Sequence, residues 1–426
     1  MGVVRHVVCA LSGGVDSAVA ALLLKRTGYH VTGVFMKNWD YLEERGVCTS
    51  EQDCEDAYKV CQILDMPFHQ VSFVKEYWNE VFSNLLKEYQ NGRTPNPDIL
   101  CNKHIKFSHF FQYAIGTLGA DAMATGHYAR TSQEDDEVFQ QRHTPRRQTL
   151  FRDRFEIRNP VRLYQGADIF KDQTFFLSQI SQNALRHTLF PLAGLTKDFV
   201  RKLAAEAGFH HLLKKKESMG ICFIGERNFD DFILEYLEPQ PGNFVSIDDG
   251  KIMGEHRGWF TLTLGQRARI GGQKDAWFVV DKDVSTREVF VAPGTNHPAL
   301  YRDTLRTARF HWIAEEPPAK LVHTKMMDCM FRFQHQMPLI CSALQRGRMP
   351  GQRENIAPGA NAAHPAAWPG THEHPCRHEP IPRAGQLKTC HVPSHHRHCP
   401  FHASRTEKEY AGQLTRDLFR FCVFYR

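Results

Sequence analysis

The chain has 426 residues with 42% hydrophobic and 23% charged residues, a composition typical of globular proteins that excludes fibrous and wholly disordered ones. No uncharged apolar run reaches about 18 residues, so a soluble protein without a membrane span is predicted. The net charge of +6 arises from residues 341 to 426, which hold 12 Lys and Arg against 6 Asp and Glu, whereas residues 1 to 340 carry 41 of each. The global charge therefore does not argue that the folded part binds nucleic acid.

The cysteine pattern indicates a reducing compartment. The 12 cysteines form no C-x-x-C pair and no evenly spaced disulfide framework, and the N-terminus lacks the apolar core of a signal peptide. Because MGVVRHVVCA already has strand character, any transit peptide is very short. The cytosol and the mitochondrial matrix both stay open.

The first part of the chain alternates strand-like and helix-like segments. Val3–Leu11 is an apolar run of strand length, Ser17–Arg26 has helical spacing, and His30–Met36 has the pattern of the next strand. The segments that follow are two helices and a short buried strand, at Glu51–Leu64, Val74–Tyr89 and Ala120–Thr125. This order predicts an α/β fold with a doubly wound, mostly parallel sheet.

Helical patterns return over residues 172 to 238, including Lys197–Ala207 with Thr196 as N-cap. Beyond Pro241, short strands predict hairpins at Asp249–Gly250 and within residues 276 to 293. These patterns divide the chain into four regions. They are a catalytic domain with a helical part (1–238), a small central β-rich module (239–302), a partial C-terminal β-barrel (303–340) and a tail (341–426).

Two segments have a biased composition. Residues 131 to 165 are rich in arginine, which fits either a phosphate-contacting loop or a solvated insertion. From Cys341 onward only 12 of 86 residues are Leu, Ile, Val or Phe, against 9 Pro and 9 His, so a mostly disordered tail is expected. The cysteines and histidines of CHVPSHHRHC have the spacing of no standard zinc module.

The strongest local signal is LSGGVDS, residues 11 to 17, between a strand and a helix. Gly13 and Gly14 permit a tight turn whose N–H groups face inward, and Ser12 and Ser17 add hydroxyl groups at a helix N-terminus that favours anions. The segment therefore predicts a phosphate-binding loop. It lacks the lysine of a kinase or GTPase loop, and Asp16 would repel a phosphate unless Mg²⁺ lay between them.

SGGVDS in this position resembles the PP-loop pyrophosphatases, which cleave ATP between the α and β phosphates and adenylate a substrate oxygen. The resemblance implies this chemistry without specifying the substrate, because several synthetases and tRNA-modifying enzymes share the motif.

Two cysteines are candidates for reaction chemistry. Cys101 in NPDILCNKHIKF begins a segment with a helical pattern, and a thiol at a helix N-terminus beside Lys103 is expected to have a lowered pKa. Cys222 lies between Gly220 and Gly225 after three lysines. The other interpretation of an intracellular cysteine, a buried small hydrophobe, applies to Cys9, Cys61 and Cys329, whereas Cys48 and Cys54 fit both.

Read in order, SGGVDS, NPDILCN, ATGHYAR, KDQTFFL and GICFIGER resemble the motifs of the tRNA-specific 2-thiouridylases, above all the mitochondrial ones. HRGWFTLTLGQRARIGG resembles the family's central β module, and the likeness covers roughly residues 4 to 340. After FRFQHQMPLI this chain departs from the family, whose further strands complete a C-terminal β-barrel. FCVFYR near the end is only faintly similar to a strand of that barrel, and the tail has the character of an alternative splice product.

The resemblance implies ATP with Mg²⁺ as cofactors, sulfur transfer to the wobble uridine of the tRNAs for Lys, Glu and Gln, a persulfide donor linked to a cysteine desulfurase, and the mitochondrial matrix as location. Cys222 would carry the persulfide, Cys101 would resolve it through a Cys101–Cys222 disulfide, and Asp98 would handle protons. The implied ATP-binding residues are Ala10, Leu11, Ser12, Gly13, Gly14, Val15, Asp16, Ser17, Met36 and Gly126. The implied tRNA-contacting residues are Asn96, Pro97, Asp98, His127, Lys171, Asp172 and Gln173.

Alternatives stay open at this point. The incomplete barrel is compatible with a non-catalytic variant that binds ATP or the sulfur donor without docking tRNA. The PP-loop alone also fits a ligase or amidotransferase that acts on a small metabolite. Taken singly, Lys171 fits a solvated lysine and His127 fits a hydrogen-bonded core histidine.

Overall fold

The structure is a computed structural model, and it describes residues 5–39, 49–133, 160–215, 228–302, 307, 310–337, 339–345, 381–382 and 422–424. Five parallel strands form its first sheet, in the order β3-β2-β1-β4-β7. These strands are β1 (His6–Leu11), β2 (His30–Lys37), β3 (Phe68–Ser72), β4 (Ala122–Ala124) and β7 (Thr188–Leu189), and β5 (Ala129–Thr131) with β6 (Leu163–Gln165) form a separate antiparallel pair. The predicted doubly wound α/β sheet is confirmed.

Helices cover both faces of this sheet. In chain order they are α1 (Val15–Arg26), α2 (Thr49–Ile63), α3 (Val74–Tyr77, Trp78–Phe82 and Ser83–Gln90 in succession), α4 (Pro97–Leu100, Cys101–His109, Phe110–Gln112 and Tyr113–Thr117 in succession), α5 (Gln182–Arg186), α6 (Lys197–Glu206), α7 (His210–Leu213) and α8 (Phe229–Leu234). A 3₁₀ turn lies at Thr174–Leu177. The π-helical turns within α3 and α4 each accommodate extra residues without ending the helix.

The centre of the sheet is buried on both faces, because β1 is apolar from Val7 to Leu11. Val7 and Cys9 pack into a cluster with α1, α2 and α6, whereas Val8 and Ala10 pack into a cluster with α3 and α4. Alternate strand residues point to opposite faces, so each cluster receives every second side chain. Burial of each large aliphatic side chain in these clusters contributes about 1.5–3 kcal/mol.

The central β module is a second, mixed sheet in the order β10-β11-β12-β8-β9. Its strands are β8 (Gly242–Ser246), β9 (Ile252–His256), β10 (Arg267–Ala268), β11 (Trp277–Asp283) and β12 (Glu288–Pro293), with 3₁₀ turns at Trp259–Thr261 and Pro298–Leu300. Both predicted hairpins are present, β8–β9 and β11–β12. Trp259 fixes the module to α3, because its indole N–H donates to the carbonyl of Gln90 at 3.0 Å.

Strands resume beyond residue 300. The described elements are β13 (Tyr301–Arg302), helix α9 (Ala319–Thr324), β14 (Met326–Arg332), β15 (Ile340–Gln345), β16 (Ile381–Pro382) and β17 (Cys422–Phe424). The strand at Ile340 continues to Gln345, so the expected end of the β structure at residue 340 was too early. FCVFYR, whose sequence is only faintly similar to a barrel strand, contains β17, which pairs antiparallel with β14.

In the part of the chain that the structure describes, no helix is both long enough and apolar enough to cross a bilayer. Most of the predicted tail, residues 346–380, 383–421 and 425–426, lies outside the described residues, as do the arginine-rich residues 134–159.

Candidate active site

The predicted nucleotide-binding residues meet at the carboxyl ends of three neighbouring strands. Residues 12 to 17 follow β1, Met36 is near the end of β2, and Gly126 comes two residues after β4. The chain runs from β1 to β2 on one side, whereas β4 pairs with β1 on the other side. Open α/β sheets bind ligands in the crevice at such a reversal of strand order.

The loop between β1 and α1 has the backbone geometry of an anion site. Gly13 has φ +69°, and a Cβ there would lie 2.4 Å from the carbonyl oxygen of Asp53, so only glycine fits. The Ser17 hydroxyl accepts from the N–H of Ser12 at 3.1 Å and donates to the carbonyl of Gly14, the N-cap of α1, at 3.0 Å. The N–H groups of the first turn have no intrahelical partners and point at the crevice.

Gly126 brings the turn after β4 against this loop. A Cβ at Gly126 would lie 2.7 Å from the backbone nitrogen of Ser17. Neighbouring Tyr128 reaches the same place, because its hydroxyl donates to Oδ1 of Asp16 at 2.8 Å. The ATGHYAR motif therefore packs directly on the N-terminus of α1.

Lys197, which the sequence did not single out as a site residue, also reaches the loop. It is the first residue of α6, it is buried, and its Nζ lies 2.8 Å from each carboxylate oxygen of Asp16. A lysine at a helix N-terminus is unfavourable for the helix dipole, and this unusual position was the sequence signal that could have pointed to it. The fold thus supplies from a distant segment the lysine that the loop itself lacks.

A second lysine, Lys215, lies on the other side of the loop. Its Nζ donates to the carbonyl of Gly13 at 3.3 Å and to Asp53 at 2.7 Å, and it also pairs with Asp56. Burial alone would lower the pKa of Lys215, but the hydrogen bonds and charges of both aspartates outweigh burial and raise it. Lys215 immediately precedes residues 216–227, so Cys222 lies outside the described residues.

The NPDILCN motif forms the start of α4. The Asn96 side chain caps the helix by accepting from the N–H groups of Asp98 and Ile99, both at 3.1 Å, and Pro97 occupies the first helical position. Burial raises the pKa of the Asp98 carboxyl, with Lys106 opposing this effect. Asn96 and Pro97 therefore build the helix terminus that presents Asp98.

Cys101 lies within α4 and not at its start. The helix begins at Pro97, so Cys101 opens the second turn, and its side chain is buried, with 3% of the residue exposed. The expectation of a thiol at the helix N-terminus was therefore wrong, because the Asn96 cap starts the helix one turn earlier. Asp98 and Cys101 are three residues apart in a helix and so share one face.

The other cysteines with assigned structural roles are buried. Cys9, Cys61 and Cys329 lie in apolar clusters, and burial raises the pKa of each thiol. Cys54 is partly exposed, whereas Cys48 lies outside the described residues.

His127 has the environment of a core histidine. It is buried, its Nδ1 lies 2.8 Å from the Thr125 hydroxyl, and its ring packs near Phe107 and Phe190. Burial lowers the pKa of His127 well below its ordinary value, and the charge of Lys106 lowers it further. These are the surroundings of a hydrogen-bonded core histidine, and contact of His127 with tRNA stays a prediction.

The Lys171–Gln173 segment is attached to both the catalytic domain and the third part of the chain. Gln173 pairs with the backbone of Tyr128 through its own N–H at 3.0 Å and through Oε1 at 3.1 Å. Asp172 is 1% exposed and accepts from Nη2 of Arg332 in β14 and from the Thr174 hydroxyl, both at 2.7 Å. The Asp172 carboxylate is thus enclosed and joins domains, which was not expected of a tRNA-contacting side chain.

No group of three or more His, Cys, Asp or Glu side chains is arranged to hold a metal ion within the described ranges. The phosphate loop thus has an anion-binding helix terminus with two lysines beside it, and α4 separately carries a buried cysteine three residues after a carboxyl of raised pKa.

Comparisons with known proteins agree with this arrangement. The family described as the tRNA methyl transferase HUP domain matches residues 5–226, and the tRNA methyl transferase PRC-barrel domain matches residues 230–293. The chain is 79% identical to "Mitochondrial tRNA-specific 2-thiouridylase 1" of Danio rerio over 339 residues, which covers 80% of this chain and 82% of the relative. The protein of the same name from Homo sapiens is 70% identical over 340 residues, covering 80% and 81%.

The chain belongs to the mitochondrial tRNA-specific 2-thiouridylase family. Among solved structures, "U34-tRNA thiolase NcsA from Methanococcus maripaludis with its [4Fe-4S] cluster" is similar with a TM-score of 0.29 and 19% identity, covering 52% of this chain and 61% of that one. A similarity this low carries no argument. Membership of the 2-thiouridylase family confirms the resemblance that the five sequence motifs indicated.

Proposed function

We propose that this chain is an ATP-dependent tRNA-uridine 2-sulfurtransferase that thiolates the wobble uridine of mitochondrial tRNAs. The observation that carries the proposal is the crevice at the sheet's switch point, where an anion-binding loop and two lysines occur in a chain up to 79% identical to named 2-thiouridylases. The relatives' names support the mitochondrion as the location and a tRNA as the substrate. We further propose the matrix as the compartment and the tRNAs for Lys, Glu and Gln as the substrates, as the resemblance of the motifs implies.

ATP is the co-substrate in this account, and its phosphates lie on residues 10 to 17. The first-turn N–H groups of α1 hold phosphate oxygens, because a helix N-terminus favours anions. The Ser12 and Ser17 hydroxyls bond to each other, and Ser17 also donates to the Gly14 carbonyl, so both brace the loop. Met36 and Gly126 border the adenine. The backbone of Gly126 approaches Ser17 so closely that a side chain at this position would push the turn away from the phosphate loop.

Asp16 fits a divalent cation as one carboxylate ligand, since Mg²⁺ in nucleotide sites takes one or two protein carboxylates together with phosphate oxygens. In the structure the Asp16 carboxylate accepts hydrogen bonds from Lys197 and Tyr128. Bound Mg²⁺ would neutralise charge on the phosphates, and the Lys197 ammonium group, displaced from Asp16, would remain within reach of them.

The chemistry begins with activation of the uridine, which is flipped out of its stack. Its C2 oxygen attacks the α-phosphorus of ATP, and pyrophosphate leaves. The C2–O bond is now part of an AMP leaving group. Lys197 and the N–H groups of α1 stabilise the negative charge that develops on the phosphates.

Sulfur transfer follows at the two cysteines. The terminal sulfur of a Cys222 persulfide attacks C2, and AMP departs with the former uridine oxygen. The Cys101 thiolate then attacks the inner sulfur of Cys222, which leaves the transferred sulfur on the uridine and forms a Cys101–Cys222 disulfide. Asp98, on the same helical face as Cys101, accepts the thiol proton, and burial raises the pKa of this carboxyl, which makes it a stronger base. A thiol reductant restores both cysteines, and a cysteine-desulfurase-linked donor restores the persulfide.

The test is pyrophosphate release from ATP with two transcripts that differ only at the wobble base. We expect release with a tRNA-Lys transcript that carries uridine and background release with one that carries 2-thiouridine, because the thiocarbonyl has no oxygen to adenylate. Equal release with both transcripts, or release with no RNA, would instead favour a ligase that acts on a small metabolite.

A further inference from the structure

Two adjacent side chains, Ile169 and Phe170, are the most exposed large hydrophobic residues that the structure describes. Each is 74% exposed, and the next, Ile252, is 60% exposed. Single exposed hydrophobic residues are common on protein surfaces, but two large neighbours at the tip of one loop mark a contact surface more often than chance placement does. Both lie in the loop that links β6 to the Lys171–Gln173 segment.

The loop holds these side chains in a fixed place. Oδ1 of Asp168 accepts from the N–H groups of Phe170 and Lys171, both at 3.1 Å, and Oδ2 accepts from the N–H of Lys197 at 2.9 Å. The Gln336 side chain donates to the carbonyl of Phe170 at 3.2 Å. The backbone that carries the exposed ring is therefore preorganised, which lowers the entropy cost of binding a partner.

The surroundings of the loop are cationic and aromatic. Arg162 is exposed just before β6, and the Arg130 guanidinium lies 5.6 Å from the ring centre of Tyr164, its cross-strand partner. Lys171 directly follows Phe170. Of the two acidic residues of the loop, Asp172 is buried against Arg332, whereas Asp168 keeps its charge and accepts three backbone hydrogen bonds.

Exposed aromatic rings between cationic side chains are the pattern of surfaces that bind single-stranded nucleic acid. The bases stack on the rings and the phosphates meet the cations. A protein partner is less well matched, because the centres of protein interfaces are depleted of charged residues.

We propose that residues 162 to 171 form a stacking surface for single-stranded RNA, on which Phe170 stacks against an unpaired base of the tRNA. This rests on the proposed function, which makes a tRNA the substrate, and it adds a residue outside the motifs that indicated the family. Phe170 contributes affinity by stacking, and Lys171 contributes it by charge.

Salt dependence separates these two contributions. The experiment measures binding of the full-length protein to an unmodified tRNA-Lys transcript over a series of salt concentrations. We expect Phe170→Ala to weaken binding about tenfold at every salt concentration and Phe170→Trp to restore it. We expect Lys171→Gln to weaken binding as well, but to reduce the salt slope by about one unit.

Phe199→Ala is the matched control, because Phe199 is also a partly exposed phenylalanine but lies on α6. Unchanged tRNA affinity in Phe170→Ala would overturn the proposal. So would an unchanged affinity combined with slower sulfur delivery from the donor protein, which would assign the loop to that protein. Thiolation by Phe170→Ala is also measured at saturating tRNA, because the proposed chemistry does not need the ring. Normal thiolation together with unchanged tRNA affinity would contradict only the stacking surface and leave the proposed function standing.

Discussion

Lys197 and Asp16 form a bidentate ion pair across 181 residues of sequence, with Nζ 2.8 Å from both carboxylate oxygens. The pair joins the N-terminus of α6 to the N-terminus of α1. Two helix termini that would otherwise present like partial charges to each other are thereby bridged at the phosphate loop. The ammonium group is thus held where ATP phosphates are expected.

Removal of the Lys197 charge tests this position. We expect Lys197→Gln to slow tRNA-dependent pyrophosphate release about 100-fold, because one preorganised cation at developing phosphate charge is lost. Lys202→Gln is the control, since Lys202 lies exposed on the same helix. Similar rates of pyrophosphate release in both variants would show that Lys197 does not act on the phosphates.

A substitution at Gly13 tests the importance of the backbone conformation of the phosphate loop. We expect Gly13→Ala to weaken ATP binding at least about tenfold, because the left-handed conformation alone costs a side chain about 1–2 kcal/mol and the new Cβ meets the backbone of Asp53. Gly116→Ala serves as the control. A methyl group on that helical glycine would meet no atom within 4 Å, so we expect the substitution to raise stability by up to about 1 kcal/mol. ATP titration by calorimetry measures the first effect, and normal affinity in Gly13→Ala would contradict it.

The buried Arg332–Asp172 pair ties β14 to the Lys171–Gln173 segment. We expect Arg332→Met to lower the free energy of unfolding by about 3–5 kcal/mol, because it strands the Asp172 carboxylate without its cation. Addition of Asp172→Asn to this variant should recover part of the loss. Urea denaturation measures both, and a strictly additive double variant would show that the two residues do not interact.

An exposed ion pair provides the comparison. Arg257 and Asp231 are 3.8 Å apart and largely solvated, so Arg257→Met should change stability by no more than about 0.5 kcal/mol. An equal loss of stability in Arg332→Met and Arg257→Met would mean that burial does not make the Arg332–Asp172 pair more important than an exposed pair.

We expect removal of the Asp98 carboxyl charge to have opposite effects on stability and on activity. Its pKa is raised in the folded protein above the ordinary 3.8, so ionisation opposes folding, and this cost is present at neutral pH but absent below about pH 3.8. We expect Asp98→Asn to be more stable than the parent near neutral pH, with the difference vanishing as the pH falls, while sulfur transfer is lost. Denaturation midpoints over a pH series measure this, with exposed Asp275→Asn as control. A less stable Asp98→Asn at neutral pH would contradict the account.

The sequence predicted the elements that form by local pattern. The apolar run of β1 and the glycines of the loop after it predicted the strand, turn and helix of the phosphate loop, because all three lie within one short stretch. The Asp249–Gly250 hairpin was likewise determined by adjacent residues. Five ordered motifs identified the family.

The sequence did not predict contacts that depend on distant segments meeting. The position of Lys197 at a helix N-terminus was an indirect signal, but this lysine becomes part of the site only because α6 packs on α1. Asp172 lies in a motif that suggests RNA contact, yet Arg332 of β14 encloses its carboxylate. Cys101 was placed at a helix start, whereas the Asn96 side chain caps the helix one turn earlier.

Thiolation of an unmodified tRNA-Lys transcript tests the central claim most directly. The full-length protein is incubated with ATP, Mg²⁺ and a persulfide donor, and the RNA is resolved on a gel that contains an organomercury compound, which retards thiolated RNA. We predict a retarded band that requires ATP and is absent with Cys222→Ser and with Cys101→Ser. A band that persists in both variants, or no band from a protein that binds ATP and tRNA normally, would contradict sulfur transfer by this pair of cysteines.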